Sequence, residues 1–211
     1  MSNNDVLIAL LTRVPVIPVL TLTDPDKAIL LARALVAGGL DVLEVTLRTK
    51  QALKSIEAIA REVPEAKVGA GTVLTTSQVD EAMSAGAHFL VSPGSTRRLT
   101  EAAAIARAPL LPGVATASEA MAMAEMGHHV LKFFPAEPAG GVAYLRSLAA
   151  PLPHLTFCPT GGIDPVKAKS YLTLSNVVCV GGSWVTPTLA LETDDWSMIT
   201  RLACECAALR S

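Results

Sequence analysis

The sequence predicts an α/β fold, a single (β/α)8 TIM barrel spanning residues 1–211, on three observations. Short runs rich in β-branched residues recur along the whole chain. Segments of helical periodicity with recognisable caps separate them. Polar residues gather at the C-terminal ends of the strand runs. Strands alternating with helices through short loops imply a parallel sheet. About eight such units with none left over favour a closed barrel over an open doubly wound sheet.

The strand runs are 16–20, 42–46, 67–70, 89–92, 109–111, 130–133, 156–158 and 177–180. Between them, helical spacing is clearest where Ala52, Ile56, Ile59, Ala60 and Val63 form one apolar stripe at i, i+4, i+7, i+8, i+11. Asp24-Pro25 and Asp164-Pro165 each set an N-cap acceptor before a proline at the first helical position. Ala37-Gly38, Ala85-Gly86 and Met126-Gly127 put glycine where a helix ends, a few residues before the next strand. The chain contains no low-complexity tract or long Pro/Ser/Gly linker, so one domain is expected.

Composition narrows the function classes. With 51% apolar and 17% charged residues the chain is globular with a large core. A net charge of −2 and no Lys/Arg run leave nothing to recognise nucleic acid. The start, Met1-Ser2-Asn3-Asn4-Asp5, has no basic region, and the apolar stretch 6–11 meets Arg13. That stretch is too short to span a membrane, so a cytoplasmic protein without a membrane partner is expected. Cys158, Cys179, Cys204 and Cys206 are read as ordinary thiols. Cys204-x-Cys206 lies in a helical pattern without further ligands at zinc spacing, and no carboxylate–histidine cluster suits a catalytic metal. The histidines of His128-His129 precede a strand at the end of the barrel opposite the chemistry and are expected at the surface.

Several strands finish in unusual residues: Glu44-Val45-Thr46-Leu47-Arg48, Gly69-Ala70-Gly71-Thr72, Ser92-Pro93-Gly94, Lys132-Phe133-Phe134-Pro135, Pro159-Thr160-Gly161-Gly162 and Gly181-Gly182-Ser183. In a (β/α)8 barrel these ends share the face that carries the chemistry. Alternation refines the expectation: if Val42 points inward so does Glu44, if Val130 does so does Lys132, and if Ala70 does so does Thr72.

Lys132 interrupts an apolar, aromatic run, His129-Val130-Leu131-Lys132-Phe133-Phe134-Pro135. Burial of an amine favours the neutral form that attacks a ketone, although a strand-end lysine can also snorkel to solvent. Glu44, within Val42-Leu43-Glu44-Val45, is either the ion-pair partner of Lys132 or a general acid/base, and the two roles are compatible. Arg48 can clamp a carboxylate with its forked donors or simply be solvated. Thr72 can donate to the same carboxylate or serve as a turn residue. The pairs Gly161-Gly162 and Gly181-Gly182, the second followed by Ser183, come after consecutive late strands, where barrels build phosphate sites from backbone N–H groups.

The segments Leu43-Glu44-Val45-Thr46-Leu47-Arg48-Thr49, Val68-Gly69-Ala70-Gly71-Thr72-Val73, Ser92-Pro93-Gly94, Lys132-Phe133-Phe134-Pro135-Ala136-Glu137, Phe157-Cys158-Pro159-Thr160-Gly161-Gly162-Ile163 and Gly181-Gly182-Ser183-Trp184 resemble the 2-keto-3-deoxy-6-phosphogluconate (KHG/KDPG) aldolases, class I enzymes of the Entner–Doudoroff pathway. The resemblance covers residues 14–187.

It implies reversible cleavage of 2-dehydro-3-deoxy-6-phosphogluconate to pyruvate and glyceraldehyde 3-phosphate, with 4-hydroxy-2-oxoglutarate as a second substrate. It implies a Schiff base on Lys132 and Glu44 as general acid/base. Arg48 and Thr72 would hold the pyruvate carboxylate, and Pro93 and Phe134 would line the pyruvate pocket. Thr160 would touch the C4 hydroxyl, and Gly161, Gly162, Gly182 and Ser183 would hold the phosphate. No cofactor or metal is called for, and a homotrimer is implied. The terminal segments, 1–13 and 188–211, match loosely and would serve assembly. Two rival readings keep the barrel: a phosphosugar isomerase or epimerase using Glu44 without covalent catalysis, and a non-catalytic sugar-phosphate sensor.

Overall fold

Strands and helices alternate along the chain except at 110–114, where two strands adjoin, and at 188–207, where two helices do, and every strand pairing among the described residues is parallel. The computed structural model describes residues 2–210. In order the elements are α1 (Asn3–Leu11), β1 (Val16–Leu20), α2 (Pro25–Ala37), β2 (Val42–Thr46), α3 (Ala52–Glu62), β3 (Lys67–Gly71), α4 (Thr76–Ser84), β4 (Leu90–Val91) and α5 (Arg97–Ile105). There follow β5 (Leu110–Leu111), β6 (Gly113–Val114), α6 (Ala117–Glu125), β7 (Val130–Phe133), α7 (Gly141–Ser147) and β8 (Thr156–Pro159). The chain closes with α8 (Pro165–Leu172), β9 (Val180–Gly182), α9 (Thr188–Glu192) and α10 (Trp196–Ala207).

The strands form a curled parallel sheet in two ladders, ordered β5-β4-β3-β2-β1-β9 and β6-β7-β8. Only Pro112 separates β5 from β6. Proline has no N–H to donate, so the ladder stops there, although the Pro112 carbonyl still accepts from the Lys132 N–H at 2.9 Å. Isolated bridges Phe157↔Val177 and Thr160↔Gly181 join the β8 segment to the β9 segment. The expected barrel is therefore met at the coarser level of a curled parallel α/β sheet, not as one unbroken eight-stranded ladder.

The local signals work as the residues suggest. Asp24 accepts from the N–H groups of Asp26 and Lys27, and Asp164 from those of Val166 and Lys167. In α3 the stripe Ala52, Ile56 and Ile59 is buried, and Val63 just beyond the helix is buried with it. The last strand lies three residues later than expected. Val177 makes only an isolated bridge, whereas Val180, Gly181 and Gly182 pair in register with Val16, Ile17 and Pro18. Pairing with a neighbour outweighs local β-propensity here.

Helix α1 closes the N-terminal end of the sheet. Leu7 and Leu11 are buried, and Asn4 bridges two backbone groups, donating to the Gly127 carbonyl at 2.6 Å and accepting from the His129 N–H at 3.1 Å. His128, half-buried beside it, is disfavoured as a cation by that burial. At the other end of the chain α10 packs on α2, where a Cβ at Gly38 would overlap Ala203.

Candidate active site

Register decides which side chains share the concave face. In a parallel ladder directly paired residues point to the same side. Glu44 pairs with Val19 and Gly69, and Lys132 pairs with Gly113 and Cys158. The two charges meet between the ladders: Lys132 Nζ lies 3.1 Å from Glu44 Oε1 and 3.3 Å from Oε2. Both residues are about as buried as the surrounding core, at 5% and 4% exposure.

Glycines make this arrangement possible. Gly71, in β3, faces Glu44 so closely that any Cβ there would overlap the carboxylate. Gly113 stands beside Lys132, and a Cβ on it would overlap the backbone of Ser92 and Pro93. That close approach seats Pro93 against the strand next to Lys132. Phe134 lies with its ring centroid 5.4 Å from Lys132 Nζ and also borders Gly161.

One register expectation is corrected. Ala70 pairs with Val45 and Leu90, on the face away from Glu44, so alternation does not carry Thr72 inward. Instead Thr72 takes φ +58, which ends the strand geometry at that residue. For a β-branched residue this conformation is costly, and such outliers cluster at functional sites.

Arg48 lies two residues past β2, exposed and, among the described residues, without an ion-pair partner. Thr160 follows β8. Its hydroxyl is buried, has no hydrogen-bond partner, and lies over Gly181, where a Cβ would overlap it. Gly161 and Gly162 have φ +107 and +77, a geometry other residues resist. Gly182 is buried with Trp184 packed where a Cβ would sit, and Ser183 is exposed at the end of β9.

Lys132, Glu44, Pro93, Phe134, Thr160 and Gly161 are thus linked by direct contacts or shared register. Arg48, Thr72, Gly162, Gly182 and Ser183 stand at C-terminal strand ends on the same rim. What motif reading missed is the role of Gly71, Gly113 and Gly181, whose absent side chains leave the room. No group of three or more His, Cys, Asp or Glu side chains converges as a metal site among the described residues. Nor is any described helix long and apolar enough to cross a membrane. A buried amine held by a carboxylate is equipped to form an imine and move protons around it.

Residues 7–202 match the family model of KDPG and KHG aldolases. This chain belongs to the KDPG/KHG aldolase family. It is 51% identical over 197 residues to the KHG/KDPG aldolase of Escherichia coli, covering 93% of this chain and 92% of that protein. It is also 50% identical over 196 residues to the 2-dehydro-3-deoxy-phosphogluconate aldolase of Zymomonas mobilis, covering 93% and 92%.

Two solved structures extend the family likeness. KDPG aldolase from Legionella pneumophila, with pyruvate captured as a covalent carbinolamine intermediate, superposes with a TM-score of 0.93 at 45% identity over 95% of this chain and 98% of that one. The Zymomonas mobilis aldolase with 3-phosphoglycerate gives 0.93 at 46% identity, covering 99% and 97%. Neither an isomerase or epimerase nor a sugar-phosphate sensor finds support among these family members.

Proposed function

We propose that this protein is a class I aldolase that reversibly cleaves 2-dehydro-3-deoxy-6-phosphogluconate to pyruvate and glyceraldehyde 3-phosphate, and that it also takes 4-hydroxy-2-oxoglutarate. The observation that carries this reading is the buried Lys132–Glu44 pair, held between β7 and β2, in a chain of this family. The same reading takes the two ladders, with the bridges from β8 to β9, as one closed (β/α)8 barrel interrupted at Pro112.

Lys132 Nζ, as the free amine, adds to the C2 ketone, and loss of water gives an iminium that acts as an electron sink. Glu44 takes the C4 hydroxyl proton as the C3–C4 bond breaks, and the bond's electrons pass into the iminium to form an enamine. Glyceraldehyde 3-phosphate leaves. Glu44 returns a proton to C3, and water hydrolyses the iminium to pyruvate and the free amine. Arg48 and Thr72 hold the carboxylate, Pro93 and Phe134 line the pyruvate pocket, and Thr160 meets the C4 hydroxyl. Gly161, Gly162, Gly182 and Ser183 hold the phosphate.

Pyruvate plus borohydride is expected to inactivate the protein irreversibly and to label Lys132, as peptide mapping would read. A label on Lys50, Lys54 or another lysine overturns the assignment. Glu44→Gln keeps the shape but cannot exchange protons, so it should still trap pyruvate while exchange of the methyl protons falls by about 10²–10⁴-fold. Exchange near the wild-type rate would leave Glu44 as a counter-ion only.

A further inference from the structure

Glu137 lies five residues beyond Lys132 in the β7–α7 loop and has no part in the steps above. Its surroundings are unusually specific. Its carboxylate accepts from the Tyr171 hydroxyl at 2.6 Å and pairs with Lys167 Nζ at 3.1 Å. Lys167 Nζ in turn donates to the Gly162 carbonyl at 3.0 Å. The loop's own backbone joins in: the Ala136 N–H donates to the Thr160 carbonyl at 2.8 Å and the Glu137 N–H to the Gly161 carbonyl at 3.1 Å. A Cβ at Gly162 would fall 2.9 Å from Cβ and Cγ of Glu137.

Three consecutive carbonyls, those of Thr160, Gly161 and Gly162, are therefore held from the Glu137 side. In a trans peptide the C=O and the following N–H point in opposite directions. Holding the Gly161 and Gly162 carbonyls thus turns the N–H groups of Gly162 and Ile163 away from Glu137. The orientation of the glycine loop is imposed from outside, because two glycines at positive φ would otherwise sample many conformations. Tyr171 is fully buried on α8, which makes it a rigid anchor. The Glu137 carboxyl is held below the usual carboxylate range, first by the Tyr171 hydroxyl, and the Lys167 ammonium acts in the same direction.

We propose that Glu137 is a positioning residue: through Tyr171 and Lys167 it sets the orientation of the Gly161-Gly162 loop and so selects phosphorylated over unphosphorylated 2-keto acids. The inference rests on the reading of that loop and Ser183 as the phosphate site. Lys167 serves here as a tether and does not itself contact the phosphate, since its ammonium is already shared between Glu137 and the Gly162 carbonyl.

The test compares wild type, Glu137→Gln, Tyr171→Phe and Ser183→Asp on 2-dehydro-3-deoxy-6-phosphogluconate and on 4-hydroxy-2-oxoglutarate. Glu137→Gln should raise KM for the phosphorylated substrate about tenfold, with kcat and all constants for the unphosphorylated one within about twofold. Tyr171→Phe keeps the ring and removes only the anchor hydroxyl; it should show the same selective rise, about threefold, and carries the test if Glu137→Gln does not fold. Trapping of pyruvate on Lys132 should be unchanged in both.

Tighter use of the phosphorylated substrate by Glu137→Gln would mean a freed Lys167 binds the phosphate directly, and overturns the proposal. Equal losses on both substrates would mark a merely structural role and also overturn it. A selective loss in Ser183→Asp with no effect in either of the other variants rejects Glu137 and leaves the phosphate site standing. Equal losses on both substrates in Ser183→Asp reject the phosphate site itself, and the proposal with it.

Discussion

At the scale of single residues, the Lys132–Glu44 pair is a poor stabiliser. Desolvating two charges costs about as much as their attraction returns, and an apolar pair of similar volume often does as well. Stability therefore does not account for its presence in the interior, which fits the catalytic roles proposed for it, and its geometry depends on Gly71. A methyl group at Gly71 would occupy the space of the Glu44 carboxylate. Gly71→Ala is therefore expected to displace Glu44 and lower kcat about 100-fold, since a misplacement of about 1 Å costs that much. Overpacking should cost a further ~1–3 kcal/mol of stability. Steady-state kinetics alongside a denaturant titration read both effects. Turnover near wild type would mean that the carboxylate position is not critical.

Lys132 and Glu44 stand out in the sequence because a charge inside an apolar run is costly, although snorkelling or a plain ion pair stays open as a structural explanation. The glycine opposite Glu44 does not stand out. An absent side chain leaves no local signal, and its meaning depends on which strand lies alongside. Thr72 shows the same limit. Period-two alternation predicts its direction only while the backbone stays extended, and φ +58 breaks that condition.

At the scale of elements, α1 does more than decorate the fold. Family resemblance suggested that residues 1–13 serve assembly. In the structure Leu7 and Leu11 are buried, and Asn4 ties the helix to Gly127 and His129 at the closed end. Leu11→Ala should cost about 2–5 kcal/mol as a buried cavity, with turnover per folded molecule unchanged because the site lies at the opposite strand ends. A denaturation midpoint and an active-site titration with pyruvate and borohydride check this. An unchanged midpoint with an altered oligomeric state would favour the assembly role over this one. Elements with strong local signals, such as capped α2 and amphipathic α3, appear where periodicity puts them. The late strand at Val180–Gly182 and the short β6 do not, because register with a neighbour defines them, not β-propensity.

At the scale of the whole molecule, the assembly we propose is a homotrimer, as the family resemblance implies. Light scattering on the purified protein should give about three times the 22.0 kDa of one chain, and a monomer at assay concentration would reject it. The sequence by itself determined the alternation of strands and helices, the strand ends at which unusual polar residues gather, and the lysine and glutamate set inside apolar runs. Those features follow from side-chain chemistry and local periodicity, which are written one residue after another. Only the tertiary structure decided that Glu44 and Lys132 touch, 88 residues apart, and that Gly71 leaves room for Glu44, Gly113 for the Ser92-Pro93 backbone and Gly181 for Thr160. It also decided that Glu137, Tyr171 and Lys167 form a single network. Contacts between distant segments depend on sheet curvature and strand register, which no single segment of the sequence specifies.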